Sequence, residues 1–285
     1  MPATLVTSRA NPRVKQLRAA FADNARLSGG LVAIEGEHLL REAIRSGLPL
    51  KTIFVRERLD PPAWLPRGVE LLQLPDDVFS SAVDTQHPQG IAALLVPPVW
   101  TMEDAFPADR TPLLLIAAAL QDPGNLGTLI RSAEAFAATA VLTTPGTVSE
   151  WNQKALRASA GSVFRVPVVA TTLAEIAALK SRGLRIFAGV GDSDSHSNAL
   201  HKPNALSIAD ADLLQPCALM IGNEGSGLTP ELLQISDARV TIPTPGRVES
   251  LNAAVAGSLL LFEASRQRSH ALNRQPTTSN LQPPL

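Results

Sequence analysis

Eight consecutive apolar residues, Leu113–Leu120, run straight into Gln121-Asp-Pro-Gly-Asn125. A strand on a one-sided sheet alternates apolar and polar side chains, so an unbroken run fits a central parallel strand covered on both faces. Parallel neighbours need crossover connections, and the Pro/Gly/Asn turn after this run opens one as a helix. A chain built around that unit is an α/β protein. The apolar spacing predicts helices over 125–138, 150–160, 173–181 and 251–268. They alternate with strands over 140–142, 166–169, 184–190, 217–221 and 239–242, and a polar loop is expected over 191–204.

Upstream the alternation recurs on a smaller scale. A helix over 11–28, stopped by Gly29-Gly30, precedes a strand over 31–34 and a helix over 37–46. Strands over 52–55, 69–74 and 90–96 follow, with a helix near 76–83. Residues 1–97 therefore outline a small N-terminal α/β domain. Residues 98–112 are Pro-bearing and without periodicity, and are expected to be a linker. Residues 113–268 form the second domain, and 269–285, with no apolar period, are expected to be a disordered tail.

The chain holds 25 Lys plus Arg against 26 Asp plus Glu, which argues against binding nucleic acid by bulk charge. The distribution is uneven. Residues 1–58 carry ten cations and five acids, 59–110 two and eight, and 111–268 twelve and thirteen. A positive field at the N-terminal end suits a local phosphate-contacting surface. One Cys excludes a disulfide framework or a Cys-based zinc site. No apolar run reaches the roughly 18 residues of a membrane span, and Met1–Gln16 has no signal-peptide core, so a cytoplasmic protein is expected.

Common catalytic signatures fail. There is no Walker A sequence and no early GxGxxG. Asp192, Asp194, His196 and Asn198 alternate like calcium ligands, but Ser197 and Pro203 stand where Gly and Glu are needed, so no metal is expected. Cys217 lies in an apolar strand and reads as a small buried side chain. With 4% aromatics and no Tyr, an aromatic base-stacking sheet of the RNA-recognition-motif kind is not expected.

Three segments carry chemistry. In Gln121–Ala133, Asp122, Gly124 and Asn125 can build a turn and cap a helix, leaving N–H groups for an anion. Arg131 stands alone on that otherwise apolar helix and needs a partner. In Leu219–Leu228, three glycines in six residues permit close backbone approach to a ligand, and Glu224 among them argues for a positive or donor-rich one. In Val240–Asn252, a Pro/Gly turn leads to Ser250, expected as helix N-cap, and to Asn252, expected just inside the helix.

Together, 121–133, 219–228 and 240–262 resemble the three motifs of the SpoU-type RNA 2′-O-methyltransferases of the SPOUT superfamily. Ser8–Lys15 and Ile34–Glu42 resemble that family's substrate-binding domain. The resemblance implies a mostly parallel C-terminal sheet flanked by helices and threaded as a deep trefoil knot. It implies S-adenosylmethionine held by Gly222, Ile242, Leu251 and Asn252, no metal, a homodimer, and functional roles for Asn125, Arg131, Glu224, Ser250 and Asn252. The reaction it implies is in-line displacement at the sulfonium methyl by a ribose 2′-oxygen. A guanidinium is a poor base at neutral pH, so Arg131 is expected to clamp an RNA phosphate and stabilise the developing oxyanion. Arg9, Arg13, Lys15 and Arg18 are expected to contact RNA phosphates. The appended N-terminal domain resembles the ribosomal-RNA branch, which points to large-subunit RNA; transfer RNA, or a non-catalytic RNA-binding protein that kept the fold, are the alternatives. Ala137 and Thr244 depart from the family's usual Gly and Met without removing a reacting group.

Overall fold

The computed structural model describes residues 3–22, 30–85, 87–191, 205–248 and 250–273. Its N-terminal sheet holds β1 (Thr4–Leu5), β2 (Val32–Glu35), β3 (Leu50–Arg56), β4 (Glu70–Leu74) and β5 (Ile91–Leu95), in the order β1-β4-β3-β5-β2. β4 runs parallel to β1 and β3, while β5 is antiparallel to β2 and β3. α1 (Pro12–Ala22) and α3 (Asp76–Ser80) bury Val14, Leu17, Phe21, Val78 and Phe79 on one face. On the other, α2 (Glu37–Arg45) packs Leu39 and Leu40 on Val32 and Ile34. The Glu35 carboxylate accepts from the Thr85 hydroxyl and the Gln89 N–H, closing the loop before β5.

The second sheet is wholly parallel: β6 (Leu113–Ala117), β7 (Ala140–Thr143), β8 (Val168–Ala170), β9 (Arg185–Gly189), β10 (Leu206–Ser207), β11 (Cys217–Ile221) and β12 (Ala238–Thr241). Its order is β10-β12-β9-β11-β6-β7-β8, which puts β6 and β11 in the interior. Alternation sorts β6 into two cores: Leu113, Leu115 and Ala117 face one layer of helices, Leu114 and Ile116 the other. The first layer is α4 (Pro123–Ala135), α5 (Gln153–Ser159) and α8 (Ala253–Asn273); the second is α6 (Leu173–Ala178) and α7 (Pro230–Ile235).

Several expected boundaries move. β6 ends at Ala117, because the chain turns out of the sheet through Ala119 in the left-handed region, at φ 53°. α7 was hidden by its shortness, although Thr229 and Pro230 form an N-cap and first turn. β1 and β10 are two-residue edges without an apolar run to announce them. α1 is described to Ala22, and α8 continues past 268 to Asn273. The calcium-like segment 192–203 and residues 274–285 lie outside the described residues.

Residues 98–112 are an ordered strap. Thr101 and Asp104 form a capping box, Ala105 is buried, and Trp100, Met102 and Phe106 pack against the second core. The N-terminal unit and the second one also touch directly, through the helices around their sheets. Buried Gln153 donates to the Ala33 carbonyl at 2.9 Å, and Arg165 bridges Glu42 of α2 at 2.9 Å and Glu134 of α4. At its far end α8 is pinned by Arg268, which donates to the carbonyls of Thr111, Pro112, Leu213 and Gln215.

Candidate active site

The three segments meet where β6, β11 and β12 end. Asp122 caps α4, accepting the Asn125 N–H at 2.8 Å, and Lys154 of α5 holds the other carboxylate oxygen at 2.6 Å. The turn after β11 folds back on itself, with Asn223 and Gly227 exchanging backbone hydrogen bonds at 3.0 Å. That close return leaves no room at Gly222, where a Cβ would overlap the Gly227 carbonyl group. The Asn223 side chain braces the turn, donating to the Ala119 carbonyl and accepting from Gly225 and Ser226.

Glu224 finds its positive face inside the protein. Its carboxylate accepts from the backbone N–H groups of Gln121 and Asp122 at 3.3 and 3.2 Å and from the Asn125 amide at 2.9 Å. The N–H groups expected to await an anion at the mouth of α4 are thus taken by this carboxylate, which suits the positive end of a helix. Burial alone pushes the Glu224 pKa up. The Asn125 amide and the backbone donors of Glu224, Gln121 and Asp122 outweigh it and hold the carboxyl below its ordinary value.

Asn252 joins the same network by donating its side-chain amide to the Asn125 Oδ1 at 3.0 Å. Its own side-chain oxygen accepts from Ala254 and Val255, so Asn252 rather than Ser250 is the N-cap of α8. A single relay, Asn252 to Asn125 to Glu224, therefore ties the three segments together.

Beside the relay opens a cleft of about 360 Å³. Gly222, Glu224, Ile242, Ser250 and Leu251 all line it, as do Gly189, Val190 and Gly191 at the end of β9 and just beyond it, which the sequence did not single out. Asn252 is not among its lining residues; its amide is spent on the relay and the cap. Arg131 lies elsewhere, two turns along α4 from Asn125, exposed and without an ion-pair or hydrogen-bond partner among the described residues. No group of three or more His, Cys, Asp or Glu gathers as a metal site among those residues.

Three of the four N-terminal cations expected to contact RNA have partners, and the fourth, Lys15, is exposed with none among the described residues. Arg9 pairs with Asp77 and Arg13 with Glu70, both at 2.8 Å, and Arg18 donates to the Ser81 carbonyl and hydroxyl. Asp77 and Glu70 belong to the acidic stretch 59–110, which folds onto the basic one, so the expected positive field is largely compensated.

Two family models match. The SpoU rRNA Methylase family covers residues 112–262, and the MRM3-like substrate binding domain covers 11–93. The 23S rRNA (guanosine(2553)-2′-O)-methyltransferase of Bacillus subtilis is 34% identical over 258 residues, spanning 90% of this chain and 97% of that one. Among solved structures, an AdoMet-bound rRNA methyltransferase from Sinorhizobium meliloti superposes with a TM-score of 0.77 at 26% identity, covering 93% of this chain and 98% of that one. The SpoU methyltransferase AviRb from Streptomyces viridochromogenes with AdoMet gives 0.76 at 26% identity, covering 91% and 98%. The chain belongs to the SpoU rRNA methylase family.

Proposed function

We propose that this protein methylates a ribose 2′-hydroxyl of large-subunit ribosomal RNA, using S-adenosylmethionine. The observation that carries the reading is the relay Asn252–Asn125–Glu224, which ties the mouth of α4 to the two segments whose residues line one cleft. The cleft suits the cofactor. Val240, Ile242, Leu251 and Leu260 give apolar walls for an adenosine, and the glycine-rich turns after β9 and β11 bring backbone donors and acceptors to its polar edges. Gly222, Ile242 and Leu251 would hold it, with Asn252 acting through the cap that sets the start of α8. When bound, S-adenosylmethionine supplies an electrophilic methyl on a sulfonium.

The protein's own groups orient the acceptor. Arg131, unpaired and presented by α4, clamps an RNA phosphate and stabilises the oxygen that develops charge as the hydroxyl loses its proton. Glu224 and Asn125 keep the mouth of α4 in place, and Ser250 at the cleft edge offers a hydroxyl to the reactants. Residues 1–97 act as the substrate-binding domain, with Arg9 and Arg13 reaching phosphates by opening exposed ion pairs that are worth little in water, Arg18 by leaving Ser81, and Lys15 directly. Residues 98–112 join it to the methyltransferase domain, 113–268, whose knotted threading is part of this reading.

The same reading makes the protein a cytoplasmic homodimer. Val255, Leu259 and Phe262 form an exposed apolar stripe at i, i+4 and i+7 on α8, continued by Phe136 at the end of α4, edge-on to Phe262 at 5.7 Å. No described helix is long and apolar enough to cross a membrane.

The test is transfer of labelled methyl from S-adenosylmethionine to separate transfer, small-subunit and large-subunit RNA, followed by alkali. Label in an alkali-resistant dinucleotide from large-subunit RNA is the expected result. The same product from transfer RNA moves the substrate; label in a mononucleotide breaks the ribose assignment. No transfer to any RNA would make the protein a binding module.

A further inference from the structure

α4 and α5 touch almost backbone to backbone. At Gly127 a Cβ would overlap the Ala155 carbonyl oxygen and the Ala158 methyl, so nothing larger than hydrogen fits there. Gly124 marks the same contact one turn earlier, where a Cβ would sit 3.0 Å from Lys154 Cε. Helical spacing carries this line from Gly124 through Gly127 to Arg131. On α5, Arg157 follows Lys154 by three residues and is exposed, on the solvent face of the helix next to Lys154.

The charges along this seam are unequal in what they already hold. Lys154 is bound to Asp122, and Glu134 to Arg165. Arg157, like Arg131, is exposed and has neither an ion pair nor a hydrogen bond among the described residues. Two free guanidinium groups thus stand on the pair of helices that this close contact holds together, with the neighbouring carboxylates Asp122 and Glu134 neutralised. Forked cations with no competing partner fit an extended polyanion.

We propose that Arg157 contacts an RNA phosphate, and that the strand bearing the target ribose runs along the α4–α5 seam to Arg131. The inference rests on the methyltransferase reading and places part of the substrate path on the catalytic domain. It is tested with full-length protein and an unmodified in vitro transcript of 23S ribosomal RNA across a series of salt concentrations.

Arg157→Gln is expected to weaken RNA binding about 10-fold, as loss of one charge-assisted contact does. The slope of log affinity against log salt should become shallower by about one. KM for RNA rises with the loss of affinity while kcat and S-adenosylmethionine affinity hold, the urea midpoint is unchanged, and Arg157→Lys recovers part of the binding. Arg110→Gln, ahead of β6 at the opposite end of that strand, serves as control and binds like the unsubstituted protein. Unchanged affinity and slope for Arg157→Gln, beside an active unsubstituted protein, overturns the seam alone, as does an equal loss for Arg110→Gln. An unsubstituted protein that neither binds nor methylates the transcript overturns the methyltransferase reading with it.

Discussion

The two arginine-bearing surfaces of the molecule differ in what their arginines already hold. Around the N-terminal sheet, on both of its faces, Arg9, Arg13, Arg41 and Arg45 each have a carboxylate within 2.8 Å, and Arg18 is turned onto Ser81. At the seam of α4 and α5, Arg131 and Arg157 hold nothing among the described residues. A paired guanidinium must give up its partner before it takes a phosphate; an unpaired one need not. On the proposed function, the N-terminal surface would then serve adjustable, salt-sensitive capture, and the seam fixed placement of the RNA.

The sharpest break of this contrast is Arg131→Lys. Losing the fork while keeping the charge should lower kcat about 100-fold, in the range seen when one transition-state donor is removed. RNA affinity should stay within about 3-fold; single-turnover methyl transfer and filter binding separate the two. A near-normal rate would mean that Arg131 is only a point charge. Gly127→Ala comes next, because it drives a methyl into the Ala155 carbonyl and pushes α5 away. The expected loss is about 1–3 kcal/mol in urea unfolding, with weaker RNA binding as the seam opens.

Arg13→Gln with Lys15→Gln probes the other surface. Arg13 must break its Glu70 pair to bind and Lys15 offers only an exposed point charge, so the double change should cost only about 3-fold in RNA affinity, less than Arg157→Gln alone. A larger loss would reverse the ranking of the two surfaces. The smallest effect is on pH. Glu224 and Asp122 both have depressed folded-state pKa values, the first through Asn125 and backbone donors acting against burial, the second chiefly through Lys154. Their contribution is present at neutral pH and is lost as pH falls below the ordinary carboxylate values of 4.5 and 3.8. The urea midpoint should fall on acidification, and Glu224→Gln should remove part of that fall; an identical acid response in the variant would show that the carboxylate adds nothing.

Much of this architecture was legible along the chain, because burial on both faces of a parallel strand leaves an unbroken apolar run. β6 and β11 announce themselves in that way, and their alternate residues divide between the two cores. The site motifs were legible because Gly, Asn and Pro punctuate the ends of those strands. Partner choice was not. Glu224 lies about a hundred residues from Asn125, and no local rule says that a carboxylate will fill the donors of a helix it does not precede. Asn252 as cap, the ordered 98–112 strap and the neutralising of 1–58 by 59–110 are of the same kind.

The sequence by itself determined the α/β class, the buried strands and the residue types at the mouth of the cleft, since hydrophobic period and turn chemistry act over a few residues. Which charges cancel, which amides join and which arginines remain free was decided by tertiary structure alone, because electrostatic and hydrogen-bond partners are set by distance in space rather than along the chain.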